Sequence, residues 1–310
     1  MGLAFSDAVE FHGLRMSHSF NSGARPKVAC EIATDRVLAG RMELGGNVEF
    51  AAYKLSAGSV VPDLTEPNLR DRETVLHTIR DTLGSLGSHS RDIIALLPDA
   101  AVRVVLLDFE ALPSHREEAE AVVRFRLKKS LPFDVEKAKV SYHVQPANGA
   151  VRVVAAVALT SVIQEYESVF VDAGYNPGFV MPSMLAALGV AKADRPTLIL
   201  KVDTRTTSIA ILDKQQVLLF RTLENTNGVT ITGERLAEEV YPSVVFFQDT
   251  YHLNIDRIFV AGLPDLAGAA PALKAQTGAD VQELVGGASP GSRDAIPKWQ
   301  IAGVAGALAS

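Results

Sequence analysis

Residues 198–223 read LILKVDTRTTSIAILDKQQVLLFRTL, and this stretch decides the fold. The apolar run Leu198-Ile199-Leu200-Lys201-Val202 stops at Asp203. The polar residues Thr204-Arg205-Thr206-Thr207 turn the chain, and Ile209-Ala210-Ile211-Leu212 runs back. A second turn at Asp213-Lys214 leads into Val217-Leu218-Leu219-Phe220. Short apolar runs on tight polar turns predict an antiparallel meander, with a carboxylate at the end of its first strand. Such a turn can bring backbone N–H groups to a phosphate. The plainer reading is that an acid before a polar turn only caps that turn.

The same order occurs earlier. Val28-Ala29-Cys30 runs into Glu31, then Ile32-Ala33-Thr34-Asp35, then Arg36-Val37-Leu38-Ala39, and Val48-Glu49-Phe50 with Ala51-Ala52-Tyr53 forms a third run. A repeat of strand, acid, turn, strand, strand predicts two related lobes, although two hairpins in any α/β chain can look alike.

Composition sets the limits. A chain of 310 residues is long enough for two lobes with real cores. With 47% hydrophobic and 21% charged residues it reads as globular rather than disordered. A net charge of −6 argues against a nucleic-acid-binding surface as the main business. The single cysteine, Cys30, sits in an apolar run, so no disulfide framework exists and a reducing compartment is expected. Cys30 reads as a small core residue rather than a nucleophile. The longest apolar run, residues 153–159, is far shorter than the ~20 residues of a membrane-spanning helix. The start, MGLAFSDAVEFHGLRMSHSF, lacks the basic and apolar segments of a signal peptide. Leu3, Phe5, Val9, Phe11 and Leu14 are loosely helical in spacing and could dock on a partner or membrane. The expectation adopted is a frayed tail over residues 1–25.

Further along, residues 27–56 read as three strands and 69–86 as a helix with Leu69, Val75, Ile79 and Leu83 on one face. DIIALLP at 92–98 is a buried strand. A different texture begins near residue 99: a strand at 102–107, then Ser114 with Glu117 as a capping box. The helix it opens ends in Arg124, Arg126, Lys128 and Lys129, which complement its dipole. Leu131-Pro132-Phe133 stops that helix, and strands follow at 140–144 and 151–159. Residues 99–160 therefore form an α+β unit inserted into the first lobe, which spans 26–98 and 161–197. Thr160 caps a helix over 161–173, and the second lobe spans 198–310. It contains a long helix from 232 to 253, kinked at Pro242, and the loop Ala261-Gly262-Leu263-Pro264.

Other chemistry is absent at the level of motifs. The seven histidines are scattered singly without ligand spacing. No nucleophile elbow and no Walker A lysine occur, and Gly286-Gly287-Ala288-Ser289-Pro290-Gly291 reads as a flexible loop. The basic run 124–129 could touch acidic lipid, but a solvated helix face is the simpler reading.

Four segments in order resemble the PilM-type actin-like proteins of type IV pilus assembly, relatives of the division protein FtsA. Glu31-Ile32-Ala33-Thr34 stands where that family has an Asp-Ile-Gly phosphate loop. The helix, Leu-Pro-Phe and the strand Val140-Ser141-Tyr142-His143-Val144 resemble its inserted subdomain. Residues 165–180 resemble its Gly-x-x-Pro return to the first lobe. Val202-Asp203-Thr204 and residues 258–266 resemble the second phosphate loop and the adenosine loop. The resemblance covers residues 26–310. It implies an α/β, actin-like (ribonuclease-H-like) two-lobed fold with an inserted α+β subdomain. It also implies a degenerate nucleotide site at Glu31, Thr34, Asp203, Thr204, Arg205, Thr206 and Gly262. Actin-like ATPases hold the Mg²⁺–phosphate end of ATP with these loops.

The departures from the family bear on that site. Glu31 replaces Asp, Ala33 and Arg205 replace loop glycines, and Leu263 stands where a second glycine is expected. Glycine lets backbone approach phosphate because it has no Cβ and tolerates positive φ. Arg205 could still pair with a phosphate. Only residues 224–231 separate the meander from the long helix, so the lid subdomain is reduced. The expected cofactor is none, or weakly bound ATP with Mg²⁺. The resemblance implies a partner, the cytoplasmic N-terminal tail of a PilN-type inner-membrane protein of pilus assembly or related type II secretion. Membrane contact would come through that partner alone, at a cytoplasmic location. Its groove is expected where the insert meets the first lobe, with Leu131, Phe133 and Tyr142 as the pocket and Arg124 and Lys128 facing an acid. The plain alternative makes Phe133 a core plug. Two function classes remain: a non-catalytic adaptor, or an active ATPase or sugar-kinase-like phosphotransferase. The sequence is silent on filament or dimer formation.

Overall fold

The computed structural model describes residues 14–15, 25–147, 149–225, 231–286 and 296–309. In chain order the elements are β1 (Leu14–Arg15), β2 (Val28–Ile32), β3 (Arg36–Met42), β4 (Val48–Lys54), α1 (Arg72–Ser85), β5 (Asp92–Leu97), β6 (Arg103–Phe109), α2 (Arg116–Leu127), β7 (Ala138–Ala147), β8 (Ala150–Leu159) and α3 (Thr160–Asp172). They continue with β9 (Asn176–Pro182), α4 (Ser183–Ala187), β10 (Thr197–Val202), β11 (Thr206–Asp213), β12 (Gln216–Glu224), α5 (Gly233–Tyr251), β13 (Arg257–Ala261), α6 (Leu266–Thr277), β14 (Asp280–Glu283) and α7 (Ala302–Ala309).

The expected duplication is present as topology. One sheet runs β4-β3-β2-β5-β9 with β1 added at its end, and the other runs β12-β11-β10-β13-β14. Each is an antiparallel three-strand meander followed by two parallel strands. The turn from β11 to β12 puts Lys214 and Gln215 at positive φ (48° and 61°), the geometry of a two-residue hairpin loop. Glycine would be cheaper there, but Gln215 is tied down. Its side chain accepts from the Ala193 N–H and donates to the Ala191 carbonyl, and its backbone N–H donates to the Ala193 carbonyl.

The second sheet is buried on both faces, which explains its near-continuous apolar runs. In β10 and β11, Leu198, Leu200, Ile209 and Ile211 join a core with Leu236, Val244 and Phe247 of α5. The alternate residues Ile199, Ala210 and Leu212 join the core of the first lobe. Period-2 alternation thus puts Ile199 and Lys201 on the face that meets the first lobe.

Residues 103–159 form a third sheet, β6-β8-β7. In β8, Val153, Ala155 and Val157 pack with Val123 and Leu127 of α2. Val154, Ala156 and Ala158 point the other way, into the first lobe's core. The three-stranded sheet is therefore a sandwich filling between its own helix and the rest of the molecule.

Several local expectations shift. Ser114 is not the N-cap: α2 starts at Arg116 with His115 at the cap position and no side-chain cap bond. Thr160 is the first residue of α3 rather than its cap. Leu69 lies outside α1, bridged to Val60, and Asp71 caps the helix by accepting from the Thr74 N–H at 3.1 Å. Most of the tail over 1–25 lies outside the described residues. Leu14 and Arg15 are a correction to it, since they pair antiparallel with Val180 and Phe179 of β9. A free strand edge offers unpaired backbone groups, and that end of the sheet recruits this segment.

The last helix returns to the first lobe although its residues follow the second. It packs on α4 and on β2 and β3. Close approach through glycine allows this. A Cβ on Gly306 would lie 2.0 Å from the Ala186 carbonyl oxygen, and one on Gly40 would lie 2.6 Å from Val304 Cγ1. Gly306→Ala should therefore lower stability by roughly 3 kcal/mol, readable as a fall in urea midpoint at unchanged m.

On α3, Glu167 is buried (6% exposed), and burial pushes its carboxyl up to about 7, against the pull of nearby Lys139. The folded state then holds its proton more tightly than the unfolded state. Stability is lost as pH rises from the unfolded carboxyl value toward 7, with full loss above it. Glu167→Gln should be more stable than the parent at pH 8 by about 2 kcal/mol, the difference shrinking toward pH 4 in paired urea titrations.

Candidate functional site

Where the two sheets face each other, three charges are buried together. Lys201 Nζ lies 3.5 Å from Glu31 Oε1 and 3.5 Å from Asp99 Oδ2. The three residues are 7%, 2% and 4% exposed. Glu31 is the penultimate residue of β2, Asp99 follows β5 and Lys201 is on β10, so the cluster ties one lobe to the other. The Ser183 hydroxyl donates to Glu31 Oε1 at 2.5 Å, and the Met184 N–H donates to Asp99 Oδ1 at 2.7 Å. Burial alone would lower the Lys201 pKa, but the carboxylates of Asp99, Glu31 and Asp203 outweigh it and raise the value. The lysine is held charged. Glu31 Oε2 has no hydrogen-bond partner among the described residues and points at Gly303, where a Cβ would lie 2.9 Å away. Neighbouring Cys30 is fully buried, and that burial pushes its thiol well up, as expected for a core residue.

Beside this cluster the interlobe cleft is lined by Asp35, Arg36, Asp203, Thr204, Gly262 and Trp299. Its volume is about 230 Å³, below the roughly 300–1,000 Å³ usual for small-molecule sites. Asp203 Oδ1 accepts from the Thr34 hydroxyl across the lobes at 3.3 Å and from the Thr204 N–H at 2.6 Å. The Asp203 carbonyl accepts from the Asn225 side chain at 2.6 Å, and the Asn225 side-chain oxygen accepts from the Thr207 hydroxyl at 2.8 Å. Asn225 is a residue sequence reasoning missed; its only signal is that it follows the last strand of the meander. The Gly262 N–H donates to the Trp299 carbonyl at 2.7 Å, and the Trp299 ring lies 5.9 Å from the Arg36 guanidinium. Gly262 has φ +80°, and a Cβ there would sit 1.7 Å from the Val202 carbonyl oxygen. Strand packing by itself requires a glycine at this position.

The expected nucleotide residues therefore separate. Thr34, Asp203, Thr204 and Gly262 meet at the cleft. Glu31 is turned into the buried cluster, and Arg205 and Thr206 line a different groove. Among the described residues no group of three or more His, Cys, Asp or Glu is arranged to hold a metal ion.

That second groove has a volume of about 600 Å³ and runs between β6 and β12, with Asp63 and Pro132 at its rim. Both strands are sheet edges. The start of β12 is covered: Gln145 pairs with both backbone groups of Val217, at 2.6 and 3.2 Å, and the Tyr251 hydroxyl donates to the Leu218 carbonyl at 3.0 Å. Residues 220–224 are not covered in this way and face the groove. Arg103 and Arg205 line it. Asp63 anchors the rim by accepting from the Thr65 and Glu66 N–H groups, which hold its carboxyl below the usual value, and Arg205 stands near enough to help lower it.

The partner residues expected from sequence are placed elsewhere. Phe133, Leu131 and Tyr142 pack against the insert's own core beneath α2. Strand alternation puts Ser141 and His143, and not Tyr142, on the opposite face of β7. Arg124 braces the insert from within, bonding Glu120 at 2.9 Å and the carbonyls of Val135 and Ala138 at 3.1 and 3.3 Å. Lys128 is exposed at the end of α2. None of these five residues lines the groove between β6 and β12, and Leu131, Phe133 and Tyr142 are half-buried against the insert's core.

No protein-family model matches the chain, and no curated protein matches it. Solved structures do. A structure described as the PilM-PilN type IV pilus biogenesis complex shares 18% identity, covers 92% of this chain and 98% of its own, and superposes with TM-score 0.74. The cytoplasmic domain of EpsL, an inner-membrane component of the type II secretion system of Vibrio cholerae, shares 10% identity over 91% and 94% of the two chains, with TM-score 0.54. A Bacteroides thetaiotaomicron protein described as having an actin-like ATPase fold shares 11% identity over 82% and 89%, with TM-score 0.50. The chain has the actin-like fold, with an inserted α+β subdomain and, between β12 and α5, no room for a full lid.

Because Gly262 packs directly on β10, Gly262→Ala should cost roughly 3 kcal/mol in the absence of any ligand. Thermal melts with and without MgATP check this: a variant that melts like the parent would contradict the packing role.

Proposed function

We propose that this chain is a non-catalytic, actin-like adaptor of a type IV pilus or related envelope assembly machine. It would bind the extended cytoplasmic N-terminal tail of a PilN-type inner-membrane partner and sit in the cytoplasm against the membrane through that partner. The observation that carries the reading is the groove between β6 and β12. An extended peptide needs free strand backbone, side-chain room and a charge to fix its register. Residues 220–224 of β12, a volume of about 600 Å³ and the guanidinium groups of Arg103 and of Arg205, the latter near Asp63, supply these. Similarity of fold over nearly the whole length to a PilM-PilN structure supports the choice of partner. No helix among the described residues is long and apolar enough to cross a membrane, which fits attachment through another protein.

Nucleotide binding is weak or lost in this reading. The small cleft, the Trp299 carbonyl on the Gly262 N–H and the diversion of Glu31 and Arg205 support it. The second reading, an active ATPase or phosphotransferase, rests on Asp203, Thr34 and Thr204 meeting at the cleft.

The test is calorimetry with a synthetic peptide of the PilN-type tail. Arg103→Glu with Arg205→Glu should weaken binding at least about tenfold, equivalent to 1.4 kcal/mol. Lys128→Glu should leave it unchanged. Loss of binding in the Lys128 variant alone, or none in the paired arginine variant, overturns the groove. A saturable MgATP-dependent melting rise of several degrees, lost in Asp203→Ala, would favour the second reading.

A further inference from the structure

The geometry points to Lys201 as a built-in cation that holds the two lobes closed, independently of metal ion and nucleotide. In this cleft the residues do not fit a magnesium nucleotide. In Glu31, near the end of β2, Oε1 is taken by Lys201 and Ser183 from within the chain, and Oε2 is closed off against Gly303, where even a Cβ would lie 2.9 Å away. A divalent ion there would need the same carboxylate while standing beside a buried ammonium, and like charges so close in a desolvated site repel strongly. Metal and lysine are therefore mutually exclusive at Glu31.

The position of the ammonium matters as much as its charge. Both of its carboxylate partners belong to the first lobe, while Lys201 belongs to the central strand of the second. Opening the lobes would pull the three charges apart and leave Glu31 and Asp99 buried or half-buried without a counter-charge, which is costly. The contacts beside it have the same sense: Thr34 bonds Asp203 across the cleft, and Arg36 lies over Trp299. Groups belonging to the chain itself thus set the angle between the lobes. The inference rests on the preceding reading only in that nucleotide does not govern the lobes; it makes no use of the peptide groove.

Trp299 is the chain's single tryptophan and lines this cleft, so its fluorescence reports on the joint. Two measurements on the full chain test the proposal. In the parent, the radius of gyration from small-angle scattering and the Trp299 emission should be the same in EDTA and in millimolar MgATP. Saturable compaction or an emission shift with MgATP overturns the proposal and the weak-nucleotide reading together. The second measurement, made without nucleotide, bears on the lock alone. Lys201→Met leaves two buried carboxylates unpaired and is expected to lose much of its thermal stability. The triple variant Lys201→Met, Glu31→Gln, Asp99→Asn removes all three charges and keeps both acceptor positions. It should fold, with a larger radius of gyration, red-shifted Trp299 emission and stronger acrylamide quenching. A folded triple variant with parental scattering and emission would show that the cluster does not set lobe closure.

Discussion

A buried ammonium shared between two carboxylates joins the halves of this molecule. Lys201 reaches from the middle of one sheet to Glu31 and Asp99 on the other, and apolar residues surround the contact. Charges removed from water in this way are tolerable only while all partners remain together. That requirement fixes how the sheets meet. Strand alternation determines that Lys201 shares a face with Ile199 and that this face, rather than the one under α5, meets the first lobe. The arrangement also keeps Glu31 away from the cleft.

The interlobe cleft and the insert groove differ in what the chain has done to them. In the cleft, polar groups that could meet a ligand already have partners: Asp203 bonds Thr34 and Thr204, and Gly262 bonds Trp299. In the groove, the edge of β12 over residues 220–224 and the Arg103 guanidinium have no such partner among the described residues, and Arg205 has only Asp63 near it. Desolvated polar groups are costly, so a solvated surface with unmet hydrogen-bonding capacity is the better place for a protein ligand to gain affinity. The insert creates that groove. It brings the edge strand β6 opposite β12, and its β8 inserts alternate side chains into the main core.

Much of this was legible in the sequence, and the reason is periodicity. The runs around Asp203 and Glu31 alternate with tight polar turns, so the meanders, their duplication and the acid at each strand end follow from local chemistry. The insert's order of strand, helix, strand and strand was also local. Helix starts were less legible. Ser114 with Glu117 has the residues of a capping box, yet the helix begins one residue later without it. The cost of a missing surface cap is small enough for packing of Val123 and Leu127 to decide the boundary.

By itself the sequence determined the strands, the helices, the two-lobe repeat and the loss of loop glycines, because each depends on residues near one another in the chain. It identified Asp203, Thr34 and Glu31 as one set, but only the tertiary structure separated Glu31 from the other two. Lys201 is 170 positions from Glu31 and reads locally as one polar residue in an apolar strand. Its pairing depends on which faces of two distant sheets come together. The same holds for Arg205, which sequence placed at a phosphate loop and the insert placed on a groove. Tyr142 and Phe133 show the converse: their chemistry suited a pocket, but a strand's alternation and the packing of the insert lay them, half-buried, against its core. Long-range packing, which carries no local sequence signal, decided where each charge and each ring went.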